Sequence, residues 1–239
     1  MIFDLQGRRR RLVQAIYALL AVLMAGGLLL FGIGGESPGG LLGSGHGGGG
    51  GGHGGGGSGP DFAERAEDLE ERLSGRPGDG SLLPQVVRSR YQAGVAAADS
   101  GGGHGGQVEL TEESREEFGR ATSAWERYRA LGPGRTDVSA ARIAAQAFAG
   151  LGDARGAARA QEIVARRAPS SGTLGTLAFY EYAAGNVARG DRAASRALRE
   201  AAPGTRPQLR RQLLQIKREA RAATEAPPGS HAQDSHPSP

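Results

Sequence analysis

The chain has 239 residues, and once an uncharged stretch and a glycine tract near its start are set aside, the remainder suits one folded domain rather than two. It contains no cysteine, which excludes disulfides, thiolate metal sites and a cysteine nucleophile. Its 29 basic residues, all arginine except Lys217, outnumber 25 acidic ones unevenly: residues 61–134 hold 9 basic and 14 acidic groups (net −5), residues 135–223 hold 16 and 7 (net +9). An arginine bias beside so much Ala and Gly reads as nucleotide composition, so nucleic acid is not expected as a partner; the asymmetry suits an acidic partner or an anionic surface.

In chain order, a basic segment (1–11) with four consecutive arginines, Arg8, Arg9, Arg10 and Arg11, precedes 24 residues without a charge, Leu12 to Gly35. At about 1.5 Å per residue this run spans roughly 36 Å, enough for a transmembrane helix over 12–35. The arginine block makes the N-terminus cytoplasmic and the rest of the chain extracytoplasmic. The run exceeds the apolar core of a cleaved signal peptide and lacks a clear A-x-A site. With no cysteine, lipoprotein anchoring is closed. Residues 36–60 form a linker in which positions 39–59 hold 15 glycines. Such a coil is expected to be disordered, with an end-to-end distance of roughly 25 Å.

From residue 61 to 223 apolar residues recur at helical spacing and strand alternation is absent, so the domain is expected to be all-α. Asp61, with Glu64 three residues on, reads as the N-cap of a first helix whose face is Phe62, Ala66, Leu69 and Leu73. A second helix runs from Ser81 to Ala93, and residues 95–110 form a Gly/His-rich insertion. Thr111 opens a third helix with a stripe of Phe118, Ala121, Trp125 and Tyr128. Further helices are predicted over Val138–Ala149, Ala154–Ala168, Ser171–Ala184, Val187–Ala201 and Pro207–Ala222. The last has one apolar face (Leu209, Leu213, Ile216, Ala220) and many arginines, as expected of a capping helix. Residues 224–239 are expected to be a disordered tail.

Ala168-Pro169 recurs as Ala202-Pro203, a period of 34 residues. The unit from Val138 to Pro169 places Ala145 and Phe148 in its first helix, Gly152 at the turn and Ala157 in its second; the next supplies Leu177, Ala178, Tyr182, Gly185 and Pro203 with one residue moved across the turn. Upstream, Tyr91 and Gly94 in RYQAG, then TSAWERYRAL, supply a third pair. The pattern resembles the tetratricopeptide repeat over roughly Ser81–Pro203. The layout is similar to bacterial single-span proteins whose repeats lie outside the cytoplasmic membrane. The resemblance implies an α-solenoid of about three hairpins that binds a protein or an extended peptide as an adaptor, scaffold or chaperone-like module. Self-association as a structural component of the cell envelope is the alternative. The first-helix positions that line the groove in such repeats correspond to Gln85, Ser89, Arg142, Gln146 and Phe179. Arg142 would clamp a carboxylate.

No catalytic constellation emerges, and an enzyme is not expected. All five histidines, His46, His53, His104, His231 and His236, lie in Gly-rich or tail segments that provide no fixed geometry for a base or a metal ligand. Glu112 with Glu116, and Glu113 with Glu117, are one turn apart, but an acid-rich first turn flanked by Arg115 and Arg120 accounts for them. No glycine loop follows a strand to cradle phosphate. Neither cofactor nor metal is predicted.

Overall fold

The computed structural model describes residues 59–76, 79–100, 110–132, 134 and 137–225. Arg8–Arg11, the apolar run 12–35, the glycine-rich linker up to residue 58 and all five histidines lie outside the described residues, as does most of the expected tail. Among the described residues the protein is all helical, and no helix there is long and apolar enough to cross a membrane. The helices are α1 (Gly59–Gly75), α2 (Leu83–Ser100), α3 (Glu112–Ala130), α4 (Val138–Gly150), α5 (Ala154–Arg167), α6 (Ser171–Ala183), α7 (Val187–Glu200) and α8 (Arg206–Glu225).

The chain divides into two compact units. Of the described residues, 59–217 belong to one and 218–225, the last turns of α8, to the other. Within the first unit each helix from α1 to α6 packs on the next, and α2 also packs on α4.

Three boundaries differ from the sequence reading by more than two residues. Helix α1 starts at Gly59, so Asp61 stands in its first turn rather than capping it. Helix α2 continues to Ser100 because Gly94 and Ala98 still pack inward beyond Ala93, which shortens the expected insertion. Helix α8 extends to Glu225, two residues into the expected tail.

Side-chain caps set the starts of four helices. Thr111 accepts from the Ser114 amide (3.1 Å), Asp137 from Ala140 (2.9 Å) and Asp153 from Gly156 (2.8 Å), while Ser170 and Thr173 form a reciprocal capping box. The α4–α5 and α6–α7 turns share one design. Gly152 (φ 76°) and Gly185 (φ 79°) occupy the left-handed region. The following amides, Asp153 and Asn186, each donate at 2.8 Å to the carbonyls of Phe148 and Glu181, closing the paired hydrogen bonds of a Schellman motif.

Aromatic rings rest on glycine backbones across these hairpins. A Cβ at Gly156 would overlap the Phe148 ring, and one at Gly190 the Tyr182 ring. Both aromatic-glycine pairs recur at 34 residues, yet the turn glycines recur at 33, so the register moves by one residue across the second turn. In the earlier hairpin Phe118 fits between α2 and α4: a Cβ would stand 2.7 Å from its ring at Gly94 and 3.1 Å at Gly150. Tyr91 stacks on Phe118 with ring centroids 5.5 Å apart, and Ala121 and Ala147 complete the cluster. Small residues thus allow close helix approach while aromatics fill the space beside them.

Helix α8 buries Leu213 and Ile216 and is held through Lys217, whose ammonium donates to both Asp191 carboxylate oxygens (2.6 and 2.7 Å). Asp191 also accepts from the Tyr182 hydroxyl at 2.8 Å, so one carboxylate links α6, α7 and α8.

Candidate functional site

The five groove positions separate by burial. Gln85 and Arg142 are exposed and Gln146 is half-buried. Helices α2 and α4, which carry them, pack on each other. Ser89 and Phe179 are 5% and 3% exposed and do not present themselves to a partner, which corrects their assignment. Ser89 follows Val86 by three residues and so belongs to the packed side of α2. At Phe179 the one-residue shift of the second repeat unit turns the side chain about 100° round the helix, into the core beside Tyr180 (centroids 5.1 Å apart).

A surface groove of about 450 Å³ lies between α3 and α5. Its walls are Glu126, Arg129 and Ala130 from α3 and Arg159, Glu162 and Arg166 from α5, over a floor of Trp125 and Ile163. Three guanidiniums therefore face two carboxylates. The Arg159–Glu126 and Arg166–Glu162 pairs are long, at 3.7 and 3.8 Å, with Arg159 and Arg166 side chains more than half exposed. Glu162 is drawn instead toward Arg189 at 3.3 Å. The groove offers planar cationic donors whose fork geometry matches a carboxylate. Pairs at these separations, in water, are loosely held. Trp125 lies at 2% exposure beside Tyr128, a core residue as its stripe predicts.

A polar cluster that the sequence reading missed joins α1, α2 and α3. Arg90 is 1% exposed. Its Nε and Nη2 donate to the two Glu70 oxygens (3.1 and 2.6 Å), and Nη1 lies 3.2 Å from both oxygens of Glu117. Burial pulls the guanidinium down, but hydrogen bonds and charge from Glu70 and Glu117 outweigh it and hold Arg90 above its ordinary value. Glu117 is 7% exposed and also meets Arg120, so solvation of an acidic first turn does not explain it, contrary to the sequence reading. The signal lay in position: Arg90 follows Val86 and Val87 on the apolar side of α2, and Glu117 sits between Ser114 and Ala121 on that of α3. With each guanidinium nitrogen of Arg90 bonded to a carboxylate, this cluster positions helices.

Two further buried polar groups fasten successive helices. Gln161 Nε2 donates to the Thr173 carbonyl at 2.9 Å, joining α5 to the first turn of α6. Glu181 accepts from Asn186 Nδ2 (2.9 Å) and Arg189 Nε (3.1 Å), fixing the α6–α7 turn. Burial raises the Tyr91 phenol above its usual range, and burial with a smaller push from Tyr91 raises that of Tyr180. Among the described residues no group of three or more His, Asp or Glu side chains is placed to hold a metal ion.

No family model matches the chain, and no match is found among curated proteins or solved structures.

Proposed function

We propose that this protein is a membrane-anchored interaction module, in which a tetratricopeptide-like stack of three hairpins (α2–α3, α4–α5, α6–α7), capped by α8, binds another protein or an extended peptide on the extracytoplasmic side. It works as an adaptor, scaffold or chaperone-like platform, not as a catalyst. One observation carries the reading: two successive hairpins share the same glycine turn and the same aromatic-on-glycine packing at repeat spacing. Stacked hairpins of this kind bury a continuous core only together and leave extended surfaces for partners. The α3–α5 groove adds three arginines to such a surface. The anchor rests on the uncharged run Leu12–Gly35 and its arginine block.

A photo-crosslinking amino acid placed singly at Arg142, Gln146, Arg159 and Arg166 in the full chain tests the binding surface in native membranes. The reading expects a discrete adduct from adjacent positions on one surface and none from a control at the exposed Ser74 of α1. Equal, diffuse labelling at all positions would refute it. Protease added to intact spheroplasts should digest the domain; protection until lysis would reverse the proposed topology.

A further inference from the structure

Helix α7 is sharply two-sided. Gly190, Ala193, Ala194, Ala197 and the capping Ala201 are buried, while Arg192, Arg196 and Arg199 stand exposed at i, i+4 and i+7. Among the described residues none of these three arginines has an ion-pair partner, whereas Arg189 on the same helix is held by Glu162 and Glu181. An exposed row of three unpaired guanidiniums spanning about 10 Å is an unpartnered helix face.

Its complement is in the same chain. Helix α1 exposes Glu64, Asp68 and Glu71 at the same i, i+4, i+7 spacing, with Glu67 beside them, and among the described residues these carboxylates have no ion-pair partner either. Arg65 and Arg72 stand three residues before and four after Asp68, and Glu200 four after Arg196, about 40–60° round each helix, so each row is bordered by opposite charge on one side only. Helix α1 packs on α2 and α7 on α6. The two rows thus remain open in each copy and have equal length and opposite sign.

We infer that this protein self-associates head to tail, the arginine row of α7 in one copy receiving the carboxylate row of α1 in the next. Because the two surfaces differ, the contact is heterologous and propagates into a ring or a chain instead of stopping at a two-fold dimer. Surface ion pairs are individually weak, so the contact requires the whole row and is sensitive to salt. No residue of the α3–α5 groove takes part, so this inference and the partner-binding reading stand or fall separately.

A charge-exchange experiment on the full chain in detergent micelles, followed by sedimentation velocity, tests the inference. The unmodified chain should form concentration-dependent oligomers at about 50 mM salt and associate at least about tenfold more weakly at about 500 mM, where the screening length falls from roughly 14 Å to roughly 4 Å. Variant R192E/R196E/R199E and variant E64R/D68R/E71R should each remain monomeric alone. Their equimolar mixture should regain oligomers, since every junction then again joins opposite charges. Circular dichroism checks helix content, and R192Q/R196Q/R199Q decides the matter should a reversal disturb folding: it too should be monomeric. A monomeric unmodified chain, oligomers unaffected by the reversals, or a mixture that stays monomeric would overturn the inference. So would a monomeric chain whose arginine row instead carries it onto phosphatidylglycerol vesicles.

Discussion

Arg90 and Glu117, on α2 and α3, meet where water is excluded, one guanidinium nitrogen lying 3.2 Å from both carboxylate oxygens. Through its other two nitrogens Arg90 also holds Glu70 of α1, so a single buried cation ties three consecutive helices together.

Removing Glu117 leaves Arg90 Nη1 without an acceptor in the interior, although Glu70 still neutralises the charge. Glu117→Ala is expected to cost about 3 kcal/mol of stability, whereas Arg90→Met combined with Glu117→Leu should recover much of that loss, because Glu70 is exposed enough to be hydrated. Urea unfolding followed by circular dichroism reads both. A single variant as stable as the parent would contradict the burial.

The hairpin aromatics lie directly on glycine backbones. Gly156→Ala and Gly190→Ala should each destabilise by about 1–3 kcal/mol through overlap with Phe148 and Tyr182. Phe148→Leu should reduce the cost at Gly156 and leave that at Gly190 unchanged. Thermal unfolding of the three single variants and of Phe148→Leu combined with each glycine change separates local packing from a general effect of alanine.

The α6–α7 turn depends on a buried carboxylate. Glu181→Ala strips partners from Asn186 and Arg189 and should cost about 2 kcal/mol. Amide hydrogen exchange should rise first at residues 184–187, while the matching α4–α5 turn stays protected.

Alkaline pH acts through the tyrosines. Tyr91 and Tyr180 both have folded pKa values raised above the ordinary 10.0, chiefly by burial. Below about pH 10 folded and unfolded states therefore hold the same phenolic protons and stability is intact; as pH rises further the unfolded chain ionises first and stability is lost. Ultraviolet titration of the phenols alongside circular dichroism should show ionisation delayed until the helices unfold. Tyr180→Phe should lessen the alkaline loss.

What could be read from the sequence was what neighbours along the chain decide. Asp137 and Asp153 cap helices by reaching an amide three residues on, and Gly152 and Gly185 end them because a positive φ suits glycine, so helix starts and hairpin turns were legible as local chemistry. The start of α1 was misread because Asp61 has the chemistry of a cap without its position, and α2 outran its expected end because packing of Ala98 sustains it.

Burial of polar residues required the tertiary structure. Periodicity marks a helix face but not what stands opposite, and Arg90 is tolerable inside only because Glu70 and Glu117 arrive from two other helices. Ser89 and Phe179 are buried for different reasons: Ser89 shares the packed side of α2 with Val86, while at Phe179 a shift of one residue turns the side chain about 100°, enough to carry it from groove to core. The sequence by itself determined that the described residues are helical and pair into hairpins, since backbone conformation answers to nearby residues. Which charges are spent inside and which remain outside, such as Arg192, Arg196 and Arg199, was decided by the packing of helices far apart in sequence, since only packing removes water from a charge.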